Sequence, residues 1–400
     1  MLLLSKSKKV LFYLILFIAD LFLWFVILKE MKGRPGILRL PVLVFRSIVS
    51  LLFLVLFFRI VLYRGEFADP ANAFRQIQMG TVAALLSAAA ATCLAVTLTI
   101  RLVLLLRGRK SGSTGLANTL IFIFLTLLFA DGYLRQRLDV RTVRQTVTVA
   151  GLDPALEGMK IALIADIHIS SWHGSYGRLD RAMQAVSDED PDLVLNTGDF
   201  ITFGWQEFGG NDTILRKAKG SAGTFAVEGN HDDGSYYPGY DESYGAECLS
   251  AMRKKIESSG YILLRDSAAV ITHRGKNIII AGVTTHGHRL DMNYGNFEKV
   301  LAPLPDSLLT ILLIHDPAGW LLSSVAGQLP DLTVAGHTHG FQVGLPGRGW
   351  SPSALIHDRW KGLYEFRGSH LYISTGIGTM GMAARFFMPP EIAFLTLSAE

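Results

Sequence analysis

The sequence predicts an α/β domain built around a polar site, preceded by a transmembrane region of about four helices. Three observations carry that reading. Composition breaks near residue 145, four long apolar runs precede the break, and short apolar strands ending in His, Asp or Asn follow it. At 400 residues the chain is too long for one small domain. Residues 1–145 are therefore assigned to the transmembrane region and 146–400 to the second domain. Charge divides the same way. Of 38 Lys+Arg and 34 Asp+Glu, 19 and 6 fall within residues 1–150. The overall +4 is thus the sum of two unlike parts, which excludes a nucleic-acid partner as its meaning. A basic first part suits anionic lipid headgroups. Two cysteines, Cys93 and Cys248, give no disulfide framework.

The apolar runs lie at about 10–29, 38–63, 81–106 and 117–134. Each approaches or exceeds the roughly 20 residues a spanning helix needs. Lys6, Lys8 and Lys9 precede the first run. It is too long for a signal-peptide core and lacks a small-residue cleavage site, so it reads as a retained anchor. Asp20, Arg46, Arg59 and Arg101 interrupt the runs. Arg59 and Arg101 read as snorkelling from helix ends, and Asp20 with Arg46 as an interhelical pair or headgroup groove. Loop charges nearly tie between the two orientations, and the first helix tips the catalytic half to the cytoplasmic face. The expectation is an integral protein of a bacterial inner membrane, with the lipid bilayer as partner.

After the break, strands and helices alternate. Lys160–Ala165 reads as a buried strand ending in Asp166-Ile167-His168. In extended chain, residues i and i+2 share a side, which would aim Asp166 and His168 at one site. A helix over 177–187 follows. The strand 192–197 ends in Gly198-Asp199, and the strand 224–227 ends in Gly229-Asn230-His231-Asp232. Gly229 would permit the sharp turn, and Asp232 would orient the His231 imidazole. The strand 309–314 ends in His315-Asp316-Pro317, and 332–335 ends in Gly336-His337-Thr338-His339-Gly340. One aspartate after a strand is usually a turn former or helix cap. Five such clusters at carboxyl strand ends are a site.

The donors are oxygen and imidazole without thiolate, which suits Mn, Fe, Zn or Mg rather than a structural zinc cage. They are too many for one ion and about enough for two, with Asp199 as the natural bridge. Two divalent ions set against Asp166, Asp199 and a hydroxide leave a positive pocket suited to phosphate. Such a pair activates the hydroxide and holds the phosphate for in-line attack.

Asp166-Ile167-His168, Gly198-Asp199, Gly229-Asn230-His231-Asp232, His315 and Gly336-His337-Thr338-His339 resemble the five blocks of the calcineurin-like metallophosphoesterases. The resemblance covers roughly residues 155–400. It implies a four-layer α/β sandwich with two facing β-sheets flanked by helices. It implies one metal on Asp166, His168, Asp199 and His339, and another on Asp199, Asn230, His315 and His337. Mn²⁺ is the first choice for both. His231 would then stabilise developing charge or protonate the leaving oxygen, with Asp232 orienting it. The tail, Leu371–Gly376 through Arg385 to Ile392, is similar to the bacterial membrane-associated branch. That branch includes exported phosphodiesterases and UDP-2,3-diacylglucosamine pyrophosphatase-like enzymes. Two departures, Phe341 and Phe200-Ile201-Thr202, would bear on substrate fit.

His286 and His288 follow the strand 277–283 as candidate pocket residues, and Arg385 is a candidate phosphate clamp. The expected function is an integral membrane two-metal phosphoesterase cleaving a lipid-linked phosphodiester or pyrophosphate. The alternative is a metal-binding sensor or scaffold without turnover, which has no need of His231 and Asp232. A transporter is disfavoured because the spans lack broken-helix Gly/Pro pairs. Protein partners are not legible in the sequence.

Overall fold

The computed structural model describes residues 35–61, 70–108, 115–237, 239–285, 295–325, 329–347 and 349–400, with isolated positions before residue 35. The chain divides into two compact units. One comprises residues 1–66, 75–135 and 381–384; the other comprises 67–74, 136–380 and 385–400.

The first unit contains α1 (Gly36–Val61), most of α2 (Pro70–Leu106) and α3 (Gly115–Leu134). Ala89 and Cys93, one helical turn apart on α2, bury against Phe122 of α3. The hydroxyls of Thr81 and Thr97 donate to the carbonyls of Ile77 and Cys93, four residues back.

Among the described residues, no helix is long and apolar enough to cross a membrane. The predicted four-span region, the bilayer partner and the integral inner-membrane placement with a cytoplasmic domain are corrected accordingly. Run length was the basis of that expectation, and run length is not sufficient. α1 carries Arg39, Arg46 and Arg59, and α2 opens through Asn72, Arg75, Gln76 and Gln78 before reaching Arg101. Each charge opposes transfer into hydrocarbon. Most of the first expected span lies outside the described residues, as do Asp20 and the side chain of Arg46.

The second unit is a sandwich of two six-stranded sheets. Its strands in chain order are β1 (Arg141–Val149), β2 (Lys160–Ile164), β3 (Leu193–Asn196), β4 (Gly223–Ala226), β5 (Ile262–Leu263) and β6 (Ser267–His273), then β7 (Lys276–Gly282), β8 (Thr310–Leu313), β9 (Leu332–Ala335), β10 (Gly362–Phe366), β11 (Ser369–Ile373) and β12 (Glu391–Ala399). One sheet runs β1-β12-β2-β3-β4-β5 and the other β10-β11-β9-β8-β7-β6. β1 straddles the boundary expected at 145/146 because it pairs along its whole length with β12.

Within β2, Ile161 and Leu163 face the other sheet, while Ala162 and Ile164 face the helical layer. That period of two, buried on both faces, is why the run reads as continuously apolar. The outer layer of the first sheet includes α4 (Tyr176–Asp188) and, further along the chain, the helix Glu242–Ser258, through Leu179, Met183, Met252 and Ile256. Leu195 and Phe225 meet Ile280, Ile311 and Val334 between the sheets. Phe297, Val300, Leu301 and Trp320 cover the outer face of the second sheet. The result is helices, sheet, sheet, helices.

β2, β3 and β4 are mutually parallel, as are β7, β8 and β9. Parallel pairing brings the carboxyl ends in each sheet to one edge, where crevices form. The five polar clusters stand at those ends.

Candidate metal centre

Asp166 and His168 follow β2, Asp199 follows β3, Asn230 and His231 follow β4, His315 follows β8, and His337 and His339 follow β9. Two groups converge: Asp166, His168 and His339, and beside them Asp199, His315 and His337. His168 Nε2 lies 3.2 Å from His339 Nε2 and 3.5 Å from Asp199 Oδ2. His315 Nε2 lies 3.3 Å from the same Asp199 oxygen, 2.9 Å from Asn230 Oδ1 and 3.1 Å from His337 Nδ1. Asp199 Oδ2 therefore stands between the two groups. The structure brings all seven predicted ligand side chains together.

The backbone route differs from the expected one. Asp166 (φ 49°), His168 (42°), Asp199 (57°), His337 (70°) and His339 (50°) all occupy the left-handed region rather than extended strand. The i, i+2 argument consequently does not apply. Left-handed kinks after β2, β3 and β9 turn those side chains inward, at a cost of order 1–3 kcal/mol each that the surrounding packing must offset. Gly229 also has a different reason for being glycine. A Cβ there would stand 2.1 Å from Asp199 Oδ1 and 2.3 Å from Asp199 N, so the requirement is space rather than turn geometry. Gly336 has the same role, since its Cβ would lie 2.5 Å from Asp166 Oδ2.

The rings are held by their second nitrogens, as ligating histidines are. His168 Nδ1 donates to the Ile201 carbonyl at 3.0 Å, and His315 Nδ1 donates to that of Thr197 at 2.8 Å. His337 Nε2 lies 3.5 Å from the Asp316 carboxylate. His339 is the exception, with its Nδ1 3.4 Å from the Arg385 guanidinium.

Asp232 does not orient His231. Its carboxylate accepts the amides of Asp199, Phe200, Ile201 and Gly229. The His231 ring donates from Nδ1 to the Thr202 carbonyl at 2.7 Å, leaving Nε2 as the nitrogen available to a substrate. Phe200-Ile201-Thr202, expected to bear on substrate fit, instead supplies the carbonyls that anchor His168 and His231. Tyr236, unnoticed in the sequence, stacks on the His231 ring with centroids 3.9 Å apart, and its hydroxyl accepts from Asn230 Nδ2 at 3.0 Å.

Arg385 is no phosphate clamp. It is 0% exposed, and its guanidinium donates to the carbonyls of Thr375, Gly376 and Gly378. His286 and His288 lie outside the described residues.

The buried charges are in tension. Burial pushes Asp166 up to about 7 and His168 down to about 3. Burial also acts to raise Asp199, but His315, His231 and His168 outweigh it and hold that carboxyl well below its usual range. His315 is pulled up to about 10 because neighbouring Asp199 outweighs its desolvation. Carboxylate oxygens and imidazole lone pairs converging without thiolate, in a shell that is buried except at His337, fit a pair of divalent cations.

A four-layer sandwich with such a centre defines a metal-dependent hydrolase of phosphate esters. Residues 159–341 match the family described as calcineurin-like phosphoesterase, so the sandwich carries a calcineurin-like metallophosphoesterase domain. An uncharacterized metallophosphoesterase of Bacillus subtilis, YkuE, is 28% identical over 65% of this chain and 86% of its own. One from Aquifex aeolicus is 28% identical over 65% and 93%. Phosphodiesterase YaeI of Escherichia coli is 28% identical over 60% and 82%. Among solved structures, a phosphopantetheinyl hydrolase of Mycobacterium tuberculosis overlaps 55% of this chain and 89% of that one, at 14% identity and a TM-score of 0.32.

Proposed function

We propose that the chain is a two-metal phosphodiesterase. The observation that carries this reading is the Asp199 carboxylate standing between two groups of inward-facing histidines. In this reading, Asp166, His168, Asp199 and His339 hold one ion, and Asp199, Asn230, His315 and His337 hold the other. Mn²⁺ is the proposed metal. When bound, two divalent ions supply Lewis acidity to the phosphate oxygens and lower the pKa of the attacking water.

The rest falls to the chain. His231, fixed through Nδ1 to the Thr202 carbonyl, presents Nε2 as the proton donor to the leaving oxygen. Asp232 braces the turn carrying Asp199 by accepting three consecutive amides. Tyr236 limits rotation of the His231 ring by covering one face. The buried ligand shell excludes bulk water, which strengthens each of these polar contacts.

A diester is preferred over a pyrophosphate because the relative YaeI is named a phosphodiesterase. The finer expectation, a lipid-linked ester of the UDP-2,3-diacylglucosamine type, rested on membrane spans that the described helices do not provide. The diester is the substrate class carried forward. The sensor alternative gains no support from a histidine held in one tautomer beside the proposed ligands.

The test is hydrolysis of bis(p-nitrophenyl) phosphate by the purified chain with and without Mn²⁺. Metal-dependent turnover is expected. Absence of turnover with two ions bound would return the chain to the sensor reading.

A further inference from the structure

We propose that Glu207 is a positioning residue for His231, acting through the loop that follows Asp199; the inference rests on the phosphodiesterase reading above. Six consecutive backbone amides of this loop end on two buried carboxylates. Asp199, Phe200 and Ile201 donate to Asp232. Thr202 donates to Glu207 Oε2 at 2.9 Å, while Phe203 and Gly204 donate to Oε1 at 2.5 and 3.2 Å. The segment is clamped from both ends, and the clamps meet at residues 201 and 202.

Those are the two residues whose carbonyls hold the site. Ile201 accepts from His168 Nδ1, and Thr202 accepts from His231 Nδ1. The Thr202 carbonyl shares its peptide plane with the Phe203 amide, which ends on Glu207 Oε1, and the preceding Thr202 amide ends on Oε2. Glu207 therefore fixes the acceptor that keeps the His231 proton on Nδ1 and frees Nε2.

The simpler reading of Glu207 is a cap for the short helical turn Trp205–Phe208, with Gly204 as N-cap. A cap accounts for the Gly204 amide alone. It does not account for the Thr202 and Phe203 bonds, nor for a carboxylate only 1% exposed. An ionisable group that deeply buried requires several donors to be tolerated, and here backbone amides of the loop provide them.

The test is a double-mutant cycle on the full chain with Mn²⁺ and bis(p-nitrophenyl) phosphate. Glu207→Gln keeps shape, but it sets an NH₂ group against either the Thr202 amide or the other two. The expected result is a kcat loss of about 10²-fold, with KM little changed and two Mn²⁺ still bound per chain. In a His231→Ala background the same substitution should change kcat by no more than about twofold. Additive losses, or loss of metal in step with kcat, would make Glu207 a general structural residue and overturn the proposal. Should Glu207→Gln not fold, Glu207→Asp takes its place in the cycle, retracting both oxygens by one methylene.

A second readout separates this inference from the function on which it rests. In ¹⁵N-histidine-labelled protein, the His231 signal, assigned by its loss in His231→Ala, should report a protonated Nδ1 and should shift toward mixed tautomers in the Glu207 variant. An unchanged signal would overturn the clamp. Absence of wild-type turnover with a changed signal would sink the phosphodiesterase reading and leave the clamp standing.

Discussion

Adding one methyl group at Gly229 should disable the centre without touching a single proposed ligand. Gly229→Ala places a carbon 2.1 Å from Asp199 Oδ1, 2.3 Å from Asp199 N and 2.8 Å from Asp199 Cγ. Ordinary carbon contacts begin at about 3.5 Å, so the carboxyl or the 228–230 backbone must retreat by more than about 1 Å. Neither has slack. Asp199 Oδ1 accepts the His231 amide, and the Gly229 amide donates to Asp232 at 2.8 Å. Overpacking of this kind costs about 1–3 kcal/mol of stability. A displacement near 1 Å at a bridging ligand costs about 10²-fold in kcat, roughly 2.7 kcal/mol in the barrier. The control is Gly177→Ala in α4, where no described atom lies within 4 Å of the new carbon. Its melting temperature should equal or exceed that of wild type. Thermal melts and kcat on bis(p-nitrophenyl) phosphate would be measured for both variants. Wild-type kcat in Gly229→Ala would refute the argument that Asp199 is held by close approach of the β4 turn.

Three further outcomes follow from the same geometry. His231→Ala should lower kcat by about 10²–10⁴-fold while both Mn²⁺ ions remain, read by turnover and metal content together; loss of metal would move His231 into the ligand set. Tyr236→Phe keeps the ring stack but removes the hydroxyl that accepts from Asn230, so Mn²⁺ affinity should fall by about 1 kcal/mol, roughly fivefold, in a calorimetric titration. Burial pushes the Cys248 thiol up to about 12, so the thiolate becomes abundant only as pH rises toward that value. Peptide mapping after iodoacetamide at pH 8 should therefore find Cys248 alkylated in urea and protected in the native chain; equal labelling in both would refute its burial.

The seven candidate ligands were legible in the sequence because few residue types bind hard divalent ions, and here they cluster at the ends of apolar strands. The strands themselves were legible for a related reason. Burial on both faces leaves short apolar runs, such as Leu193–Leu195, that polar punctuation brackets. How the ligands converge was not legible. Non-glycine residues rarely adopt positive φ, so nothing in Asp166 or His339 announces a left-handed kink. The anchors of His168, His231 and His315 are backbone carbonyls, a group that every residue carries.

Arg385 shows the converse limit. Its charge was visible and its surroundings were not, since the carbonyls that enclose it come from Thr375, Gly376 and Gly378 across a loop. At the other end of the chain, compositional contrast pulled the domain boundary to residue 145. The alternating Arg141-Thr142-Val143-Arg144 pattern of half-buried β1 was submerged in that contrast. Length alone likewise marks the long apolar runs as spans, although the second and third carry Arg39, Arg46, Arg59 and Arg101.

A pair of ions joined by one carboxylate is put to the test by counting the Mn²⁺ ions bound per chain in wild type and in Asp199→Asn. Two ions are expected in wild type and none in the variant at equal free metal, because Asp199 Oδ2 faces both His168 and His315. One ion retained in the variant would contradict the bridge, and with it the two-metal assignment.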